Sequence, residues 1–192
     1  IKTIIFNIDN NKFLLIILKQ IINNLKLLIF KMNNYQHNAV LHIGDQKFLG
    51  KGIGAPNIVP GELCFNTAMT GYQEIITDPS YYGQIITFTF PHIGITGTNH
   101  EDNESNKYHA NGIIIREEPT YKTNQRSLNH FNQWLISKNI TGIYGLDTRS
   151  LTKFIKNNSA TIAVIEYPAA KDNINSQAIE SAKNYKIKGV DL

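Results

Sequence analysis

Residues 84–90 read QIITFTF, a period-two alternation that is typical of an extended strand. Alternate side chains of a strand point to opposite faces, so one face would carry Ile86, Phe88 and Phe90 and the other Ile85, Thr87 and Thr89. Pro91 ends the pattern, because proline cannot donate to a sheet ladder. Shorter runs of the same kind surround this segment, and the chain is therefore predicted to fold as a mixed, strand-rich α/β domain.

Glycine, proline and asparagine divide the neighbouring runs into short elements. Residues 38–54 predict a hairpin about a Gly44-Asp45 turn, and residues 56–61 predict a turn that leads into the next strand. Residues 94–107 form a long polar loop, of the kind that more often carries function than structure. Further strands are predicted at residues 62–66, 112–117, 140–144 and 160–166.

Helical spacing is found mainly in the second half of the chain. In residues 127–139, Leu128, Phe131 and Leu135 recur at the interval of an amphipathic helix, which Asn139 would end. A second helix is predicted after the N-cap residue Asp147, with an apolar face formed by Leu151, Phe154 and Ile155. Two weaker signals are residues 72–77, which fit a helical turn or an irregular segment, and residues 176–185.

The first 31 residues differ in composition from the rest of the chain. Ile, Lys, Asn, Phe and Leu fill nearly all of them, as AT-rich codons do when non-coding DNA is read through, and Met32 is the first methionine. We therefore expect translation to start at Met32, residues 1–31 to be a non-native or disordered leader, and residues 32–192 to be one domain.

A membrane anchor and a secretion signal are the alternatives for this leader. A spanning helix needs about 20 mostly apolar residues, whereas the longest apolar run is confined to residues 13–18. A signal peptide would need a small-residue cleavage site after that run, and the sequence has none. An interrupted Ile/Leu-rich stretch that lies on a membrane surface stays open as an interpretation.

Charge and cysteine content argue against several kinds of partner. The formal net charge of +4 lies wholly in residues 1–31, because the later residues carry equal numbers of acidic and basic side chains. The basic footprint of nucleic-acid or anionic-lipid binding should lie on the folded part, so we expect no nucleic-acid and no membrane partner. A lone cysteine, Cys64, excludes an intrachain disulfide and a multi-thiolate metal site. These features fit a reducing, cytoplasmic setting.

Residues 61–80, GELCFNTAMTGYQEIITDPS, begin as a strand and then concentrate polar side chains around few apolar ones. Such side chains can hydrogen-bond backbone groups and fix a loop, either as a network internal to the turn or as a scaffold that presents a surface to another domain. The pattern leaves both interpretations open. The polar residues are Asn66, Thr67, Thr70, Gln73, Glu74, Thr77, Asp78 and Ser80.

Other candidate chemistry has weaker support. Cys64 lies within a predicted strand, where we expect a buried structural cysteine rather than a reactive thiolate. Ser80 lacks the G-x-S-x-G elbow that presents a hydrolase nucleophile. His100, Glu101, Asp102 and Glu104, with His92 and His109 flanking them, match no known metal-loop spacing, so no metal site is predicted. The glycines of residues 50–54 lack the order of a phosphate loop and fit the end of a strand better.

Residues 61–94 closely resemble the signature block of the small, glutamine-using chain of carbamoyl phosphate synthetase. The similarity continues in the same order through TNHEDNES, GIIIRE, GLDTRSLTKFIKNNSA and KGVDL, which begin at residues 98, 112, 145 and 188. Several long motifs in one order over about residues 38–192 make the resemblance specific.

The resemblance implies the N-terminal domain of that small chain, a layered β/β/α domain. In the family this domain packs on the large chain and borders the L-glutamine site of a class I amidotransferase domain. That domain releases ammonia, which the large chain combines with bicarbonate and ATP to make carbamoyl phosphate for arginine and pyrimidine synthesis. ATP and Mg²⁺ would belong to the large chain, and this chain would hold no cofactor.

The resemblance also implies which residues contact the substrate. The serine of the family's T-D-P-S motif contacts the bound glutamine and corresponds here to Ser80. A supporting loop would hold that serine, and its residues would be Asn66, Thr67, Thr70, Gln73, Glu74 and Asp78.

The sequence departs from the family at Leu192, where an amidotransferase domain would follow. The nucleophilic cysteine of that domain is missing, and Cys64 cannot replace it. We expect no catalytic residue in this chain, because nucleophile, base and oxyanion site are needed together. A truncated gene product and a fragment both stay open. So do two other functions, a binding module retained for another partner and a small hydrolase that uses Ser80 with His92 or His100.

Overall fold

The computed structural model describes residues 18–23, 37–105, 107–120, 124–125, 127–158, 161–169 and 176–185. The chain divides into two compact units, residues 1–36 and residues 37–192. In the first unit, residues 18–23 are helical and exposed. No helix within the described ranges is both long and apolar enough to cross a membrane. The rest of the predicted leader, with Met32, lies outside the described residues.

Seven strands of the second unit pair into a closed barrel. Around the barrel the order is β1-β2-β6-β5-β4-β3-β7, and β7 pairs with β1 to close it. The run β3-β4-β5-β6 is parallel, whereas the other neighbours pair antiparallel. The strands are β1 (Ala39–Ile43), β2 (Gln46–Gly54), β3 (Asn57–Asn66), β4 (Gln84–Phe88), β5 (Gly112–Ile115), β6 (Thr141–Tyr144) and β7 (Ile162–Tyr167).

In the described part of the second unit, four helices accompany this sheet, which confirms the mixed, strand-rich α/β class. The predicted N-cap Asp147 is confirmed, because its Oδ1 accepts hydrogen bonds from Arg149 N and Ser150 N, both at 3.1 Å. Asn139 follows the second helix with a φ of 55°, the left-handed conformation that ends helices. The helices are α1 (Tyr72–Thr77), α2 (Phe131–Ser137), α3 (Thr148–Asn157) and α4 (Ser176–Asn184), and a 3₁₀ helix spans Pro79–Tyr81.

Strand alternation produces two apolar cores instead of one. Inside the barrel, alternate residues of six strands meet, and α3 adds Leu151 to this inner core. On the outer face of β4 and β5, the other residues form an outer core under α1 and α2. Representative inner residues are Leu41, Leu63, Ile85, Ile114, Ile143 and Ile165, and representative outer residues are Ile76, Ile86, Phe88, Ile113, Phe131 and Trp134. The alternation in Gln84–Phe88 thus belongs to a strand that is buried on both faces, and Thr89 and Phe90 follow its end.

The predicted turn at residues 56–61 is wrong. Asn57 to Gly61 form the first half of β3 and pair antiparallel with β7, beginning at Asn57 opposite Tyr167. Proline is tolerated there, because the carbonyl of Pro60 accepts a hydrogen bond from Asn111 Nδ2 at 2.8 Å. The carbonyl of Pro60 therefore points away from β7. In an antiparallel pair the nitrogen of a residue points to the same side as its carbonyl, so the missing N–H of Pro60 removes no ladder bond to β7.

The predicted helix at residues 127–139 is shorter than expected. It begins only at Phe131, after the N-cap His130, and the side chain of Leu128 is 53% exposed. The preceding residues pair with another segment, because Leu128 N donates to Thr98 O at 2.9 Å and Thr98 N donates to Asn129 O at 3.0 Å. Backbone pairing with a distant residue has replaced the first helical turn.

Candidate functional site

The polar stretch connects the parallel neighbours β3 and β4. It leaves the barrel after Asn66, and residues 67–70 are exposed, with the side chain of Met69 exposed by 68%. Helix α1 then packs on the outer core through Tyr72 and Ile76. A short turn follows and leads back into β4. The connection is therefore anchored on the barrel at both ends and by an apolar face in its middle.

The Ser80 turn, residues 78–83, is a short and well-defined element. Asp78 Oδ1 accepts a hydrogen bond from Ser80 N at 2.8 Å, and Asp78 O accepts one from Tyr81 N at 3.1 Å. Pro79 occupies the first position of the 3₁₀ helix, where its fixed φ suits the turn and its missing N–H costs nothing. The Ser80 residue is exposed. The turn thus holds the backbone of a serine that lies at the surface of the domain.

Asn66 joins the end of β3 to this turn. Its Nδ2 donates to the hydroxyl of Tyr81 at 2.9 Å, and its Oδ1 accepts from Ala68 N at 2.7 Å. The ring of Tyr81 also packs against the outer core. Asn66 and Asp78 are thus predicted supporting residues whose side chains hydrogen-bond residues of the Ser80 turn.

Gln73 is turned away from the Ser80 turn and into the domain. Its side chain is only 3% exposed, and both ends of its amide are used. Nε2 donates to Asn99 O and to Asn103 Oδ1, both at 2.6 Å, while Oε1 accepts from Asn99 N at 3.1 Å. Gln73 therefore fixes the 98–105 loop on α1. These bonds form an internal network, one of the two interpretations that the sequence pattern allows for the polar stretch.

Thr77 binds the same loop and was not among the predicted supporting residues. Its hydroxyl donates to Gln73 O at 2.9 Å and accepts from Glu104 N at 2.9 Å. Its carbonyl accepts from Ser105 Oγ at 2.8 Å. A threonine that bonds the preceding helical turn is a recognisable local pattern, but the bonds to residues 104 and 105 leave no mark in the sequence.

Tyr72 is a second residue that the sequence interpretation missed. Its hydroxyl donates to the carbonyl of Gly97 and lies 2.7 Å from Thr96 Oγ1. Burial, more than any other cause, raises the pKa of Tyr72 above its ordinary value. The start of α1 is thereby tied to the residues that precede the 98–105 loop.

The 98–105 loop is also supported from within. Asn99 Oδ1 accepts from Glu101 N and Asp102 N, both at 2.8 Å, and Asn99 Nδ2 donates to Asp102 Oδ2 at 2.6 Å. In the part of the chain that the structure describes, no three His, Cys, Asp or Glu side chains converge as metal ligands would. The carboxylates of this loop are surface groups on a fixed backbone.

The remaining predicted residues contribute less. Thr67 and Thr70 are exposed, and Glu74 is half-buried. Cys64 is half-buried beside the outer core, with its Sγ donating to Ile85 O at 3.7 Å. Burial and then the Glu62 carboxylate raise the pKa of Cys64 to about 12, so at neutral pH it is a thiol and not a nucleophilic thiolate.

A hydrolase centre at Ser80 has no support in this geometry. His92 Nδ1 pairs with Glu117 Oε2 at 3.2 Å. Among the described residues, no hydrogen bond joins an imidazole to the Ser80 hydroxyl. The base that a serine nucleophile requires is thus not engaged with it.

The fold and the site define a mixed α/β barrel domain whose β3–β4 connection presents a fixed polar turn at the surface. Residues 40–165 match the family described as carbamoyl-phosphate synthase small chain, CPSase domain. The chain belongs to this family, as its motifs indicate.

Curated relatives agree with the family match. The chain is 46% identical over 160 residues to the carbamoyl phosphate synthase small chain of Rhizobium meliloti, which covers 80% of this chain and 40% of that protein. It is 48% identical over 147 residues to the small chain of Vibrio cholerae, covering 76% and 38%. The chain thus spans about two fifths of the length of these relatives. Among solved structures, an aminopeptidase from Aneurinibacillus aligns over 67% of this chain and 30% of its own, at 15% identity and a TM-score of 0.39, which is too low to support any argument.

Proposed function

We propose that this chain is the N-terminal domain of the small, glutamine-hydrolysing subunit of a carbamoyl phosphate synthase, of the layered type expected for that family. In this role it docks on the large subunit and borders the L-glutamine site of an amidotransferase domain. The complex makes carbamoyl phosphate from glutamine, bicarbonate and ATP in the cytoplasm, for arginine and pyrimidine synthesis. ATP and Mg²⁺ act on the large subunit.

The observation that supports this role most directly is the exposed Ser80 on a hydrogen-bonded turn. A serine hydroxyl both donates and accepts, so it can bond either the α-carboxylate or the amino group of glutamine. Because the Asp78 carboxylate already fixes the Ser80 backbone, little conformational freedom is left to lose when a ligand binds. A pre-formed hydroxyl at the domain surface suits a substrate that is held mainly by a neighbouring domain.

The reactivity of Cys64 bears on which domain carries out the hydrolysis of glutamine. The Cys64 thiol, with its pKa raised to about 12, is not a nucleophile near pH 7. Hydrolysis of glutamine is therefore assigned to the amidotransferase domain, and this domain is assigned binding and docking.

Substitution of Ser80 tests the proposal in an assembled complex. The chain would be combined with a small-chain amidotransferase domain and a large subunit, and carbamoyl phosphate formation measured with glutamine and with ammonia as nitrogen donor. Ser80→Ala should raise KM for glutamine about tenfold, as expected for one hydrogen bond to a charged ligand group. The rate with ammonia should not change, because ammonia bypasses the glutamine site.

Thr120→Ala is a matched control, since Thr120 is exposed and its backbone carbonyl, which the substitution keeps, is the group that pairs with His130 Nε2. An unchanged KM for glutamine in Ser80→Ala would contradict the assigned contact. Failure of the chain to co-purify with the large subunit and the amidotransferase domain would contradict the docking role.

A further inference from the structure

We propose that Thr77 and Tyr185 are positioning residues that hold the Ser80 turn at its two ends. The proposal rests on the role assigned to Ser80 above. It adds two residues, one before and one after the turn, whose hydroxyl groups contact neither the serine nor a substrate.

Thr77 fixes the first end of the turn. It directly precedes Asp78, whose carboxylate caps Ser80 N. The 2%-exposed Thr77 side chain accepts from Glu104 N at 2.9 Å, and its carbonyl accepts from Ser105 Oγ at 2.8 Å. Both the side chain and the backbone of Thr77 are therefore bound to the 98–105 loop, so the Asp78 cap starts from a fixed point.

Tyr185 fixes the second end. Gly83 closes the turn with a φ of 77°, and its N–H donates to His109 O at 3.0 Å. The carbonyl of Gly83 accepts a hydrogen bond from the hydroxyl of Tyr185, which directly follows α4. Asn111 Nδ2 also lies 3.5 Å from that hydroxyl, as a donor. The end of the turn is thus tied to a residue 102 positions later in the chain.

These contacts have a specific kinetic consequence. Neither Thr77 nor Tyr185 belongs to the two apolar cores, so loss of a hydroxyl should loosen the turn more than the barrel. A looser turn must be ordered when glutamine binds, which weakens binding. The rate with ammonia does not depend on Ser80 and should not respond.

The test uses Thr77→Val and Tyr185→Phe, which remove the hydroxyl and keep most of the side-chain volume, in the same assembled complex. Each should raise KM for glutamine about threefold to tenfold, in proportion to one neutral hydrogen bond. The rate with saturating ammonia should stay at the wild-type value. Thr77→Ser keeps the hydroxyl and should leave KM for glutamine at the wild-type value. If Thr77 acted only through the bulk of its methyl group, Thr77→Ser would raise KM as well.

A double-mutant cycle separates positioning from an independent effect. In a Ser80→Ala background, Thr77→Val and Tyr185→Phe should raise KM no further, because the group that they position is gone. Additive effects would overturn the proposal. The positioning proposal would also be overturned if Tyr185→Phe and Thr77→Val kept the wild-type KM while Ser80→Ala raised it. That result would leave the proposed function intact.

An unchanged KM in Ser80→Ala itself would instead overturn the proposed function, and the positioning role with it. If Thr77→Val does not fold, Tyr185→Phe decides, because Tyr185 is half-buried and lies outside both cores.

Discussion

The barrel and the β3–β4 connection are stabilised by different interactions. In the barrel, neighbouring residues of one strand, such as Ile85 and Ile86, are both fully buried, one in each core. In the connection, the buried groups include the polar side chains of Gln73 and Thr77, and their partners are backbone groups of residues 99 and 104. Apolar burial depends on area and has no preferred direction, whereas a hydrogen bond requires a particular distance and angle.

This difference assigns separate tasks to the two regions. The barrel supplies most of the stability, because it buries the larger apolar surface. The connection supplies geometry, because each of its hydrogen bonds fixes the position of one backbone segment relative to another. Changes in the barrel should lower the stability of the whole domain, and changes in the connection should act locally.

A cavity in the inner core should have the largest effect. Ile114→Ala removes a fully buried side chain from the barrel interior and should lower the free energy of unfolding by about 2–5 kcal/mol. Urea unfolding measures this change in the free energy of unfolding. Leu49→Ala is the control in the same barrel, because Leu49 is 48% exposed, and it should change stability by less than about 0.5 kcal/mol. Similar losses in both variants would show that the barrel interior is not the main source of stability.

Loss of the Gln73 amide should have an intermediate and local effect. Gln73→Ala leaves Asn99 N and Asn99 O without their partner, which should cost about 1–3 kcal/mol. Hydrogen exchange at the amide of Asn99 should accelerate more than exchange in β1 or β7. The control Gln133→Ala, at an exposed position of α2, should change neither the stability of the domain nor the exchange rate at Asn99. Uniform acceleration over the whole barrel would contradict the local role of the connection.

The cap of α3 should have the smallest effect and depend on pH. Hydrogen bonds from the Ser150 side chain and then its backbone lower the pKa of Asp147 below its ordinary value of 3.8. A depressed folded-state pKa means that the carboxylate stabilises the folded state above pH 3.8, and that this stabilisation is lost as the pH falls through the folded-state pKa.

Asp147→Asn keeps an oxygen acceptor at the N-cap and removes the charge. The melting temperature of this variant should lie slightly below that of the wild type from pH 7 to about 4, and the gap should close at lower pH. Thermal unfolding followed by circular dichroism between pH 3 and 7 measures it. A gap that persists unchanged at pH 3 would show that the charge of Asp147 does not stabilise α3.

Local signals in the sequence were sufficient for much of the fold. The hairpin about Gly44 and the N-cap at Asp147 were predicted correctly, because each depends on residues that are adjacent in the chain. Pro60 and Leu128 misled the prediction because distant partners decided their conformation. Pro60 sits in a strand next to β7, and Leu128 bonds Thr98 in place of forming a helical turn.

For the candidate site, the structure shows which of the predicted side chains lie together, and the glutamine contact of Ser80 stays a prediction. Ser80 and six supporting residues were predicted from the motif, and of those six the structure shows Asn66 and Asp78 hydrogen-bonded to residues of the Ser80 turn. Thr77 was named only as one of the polar residues of the stretch, and Tyr185 was given no role, since Thr77 binds residues 104 and 105 and Tyr185 binds a residue 102 positions earlier. Hydrogen bonds over such separations leave no periodicity in the sequence.

The sequence by itself determined the mixed α/β class, the hairpin turn at Gly44, the N-cap of α3 and which family the motifs resemble, because these follow from short-range sterics and from residue order. The tertiary structure decided that the strands close into one barrel with a core on each side, and that Gln73 and Thr77 point inward while Ser80 points outward. The reason is that closure and side-chain direction depend on distant groups that compete to bury apolar area and to satisfy hydrogen bonds, and these partners meet only in the folded chain.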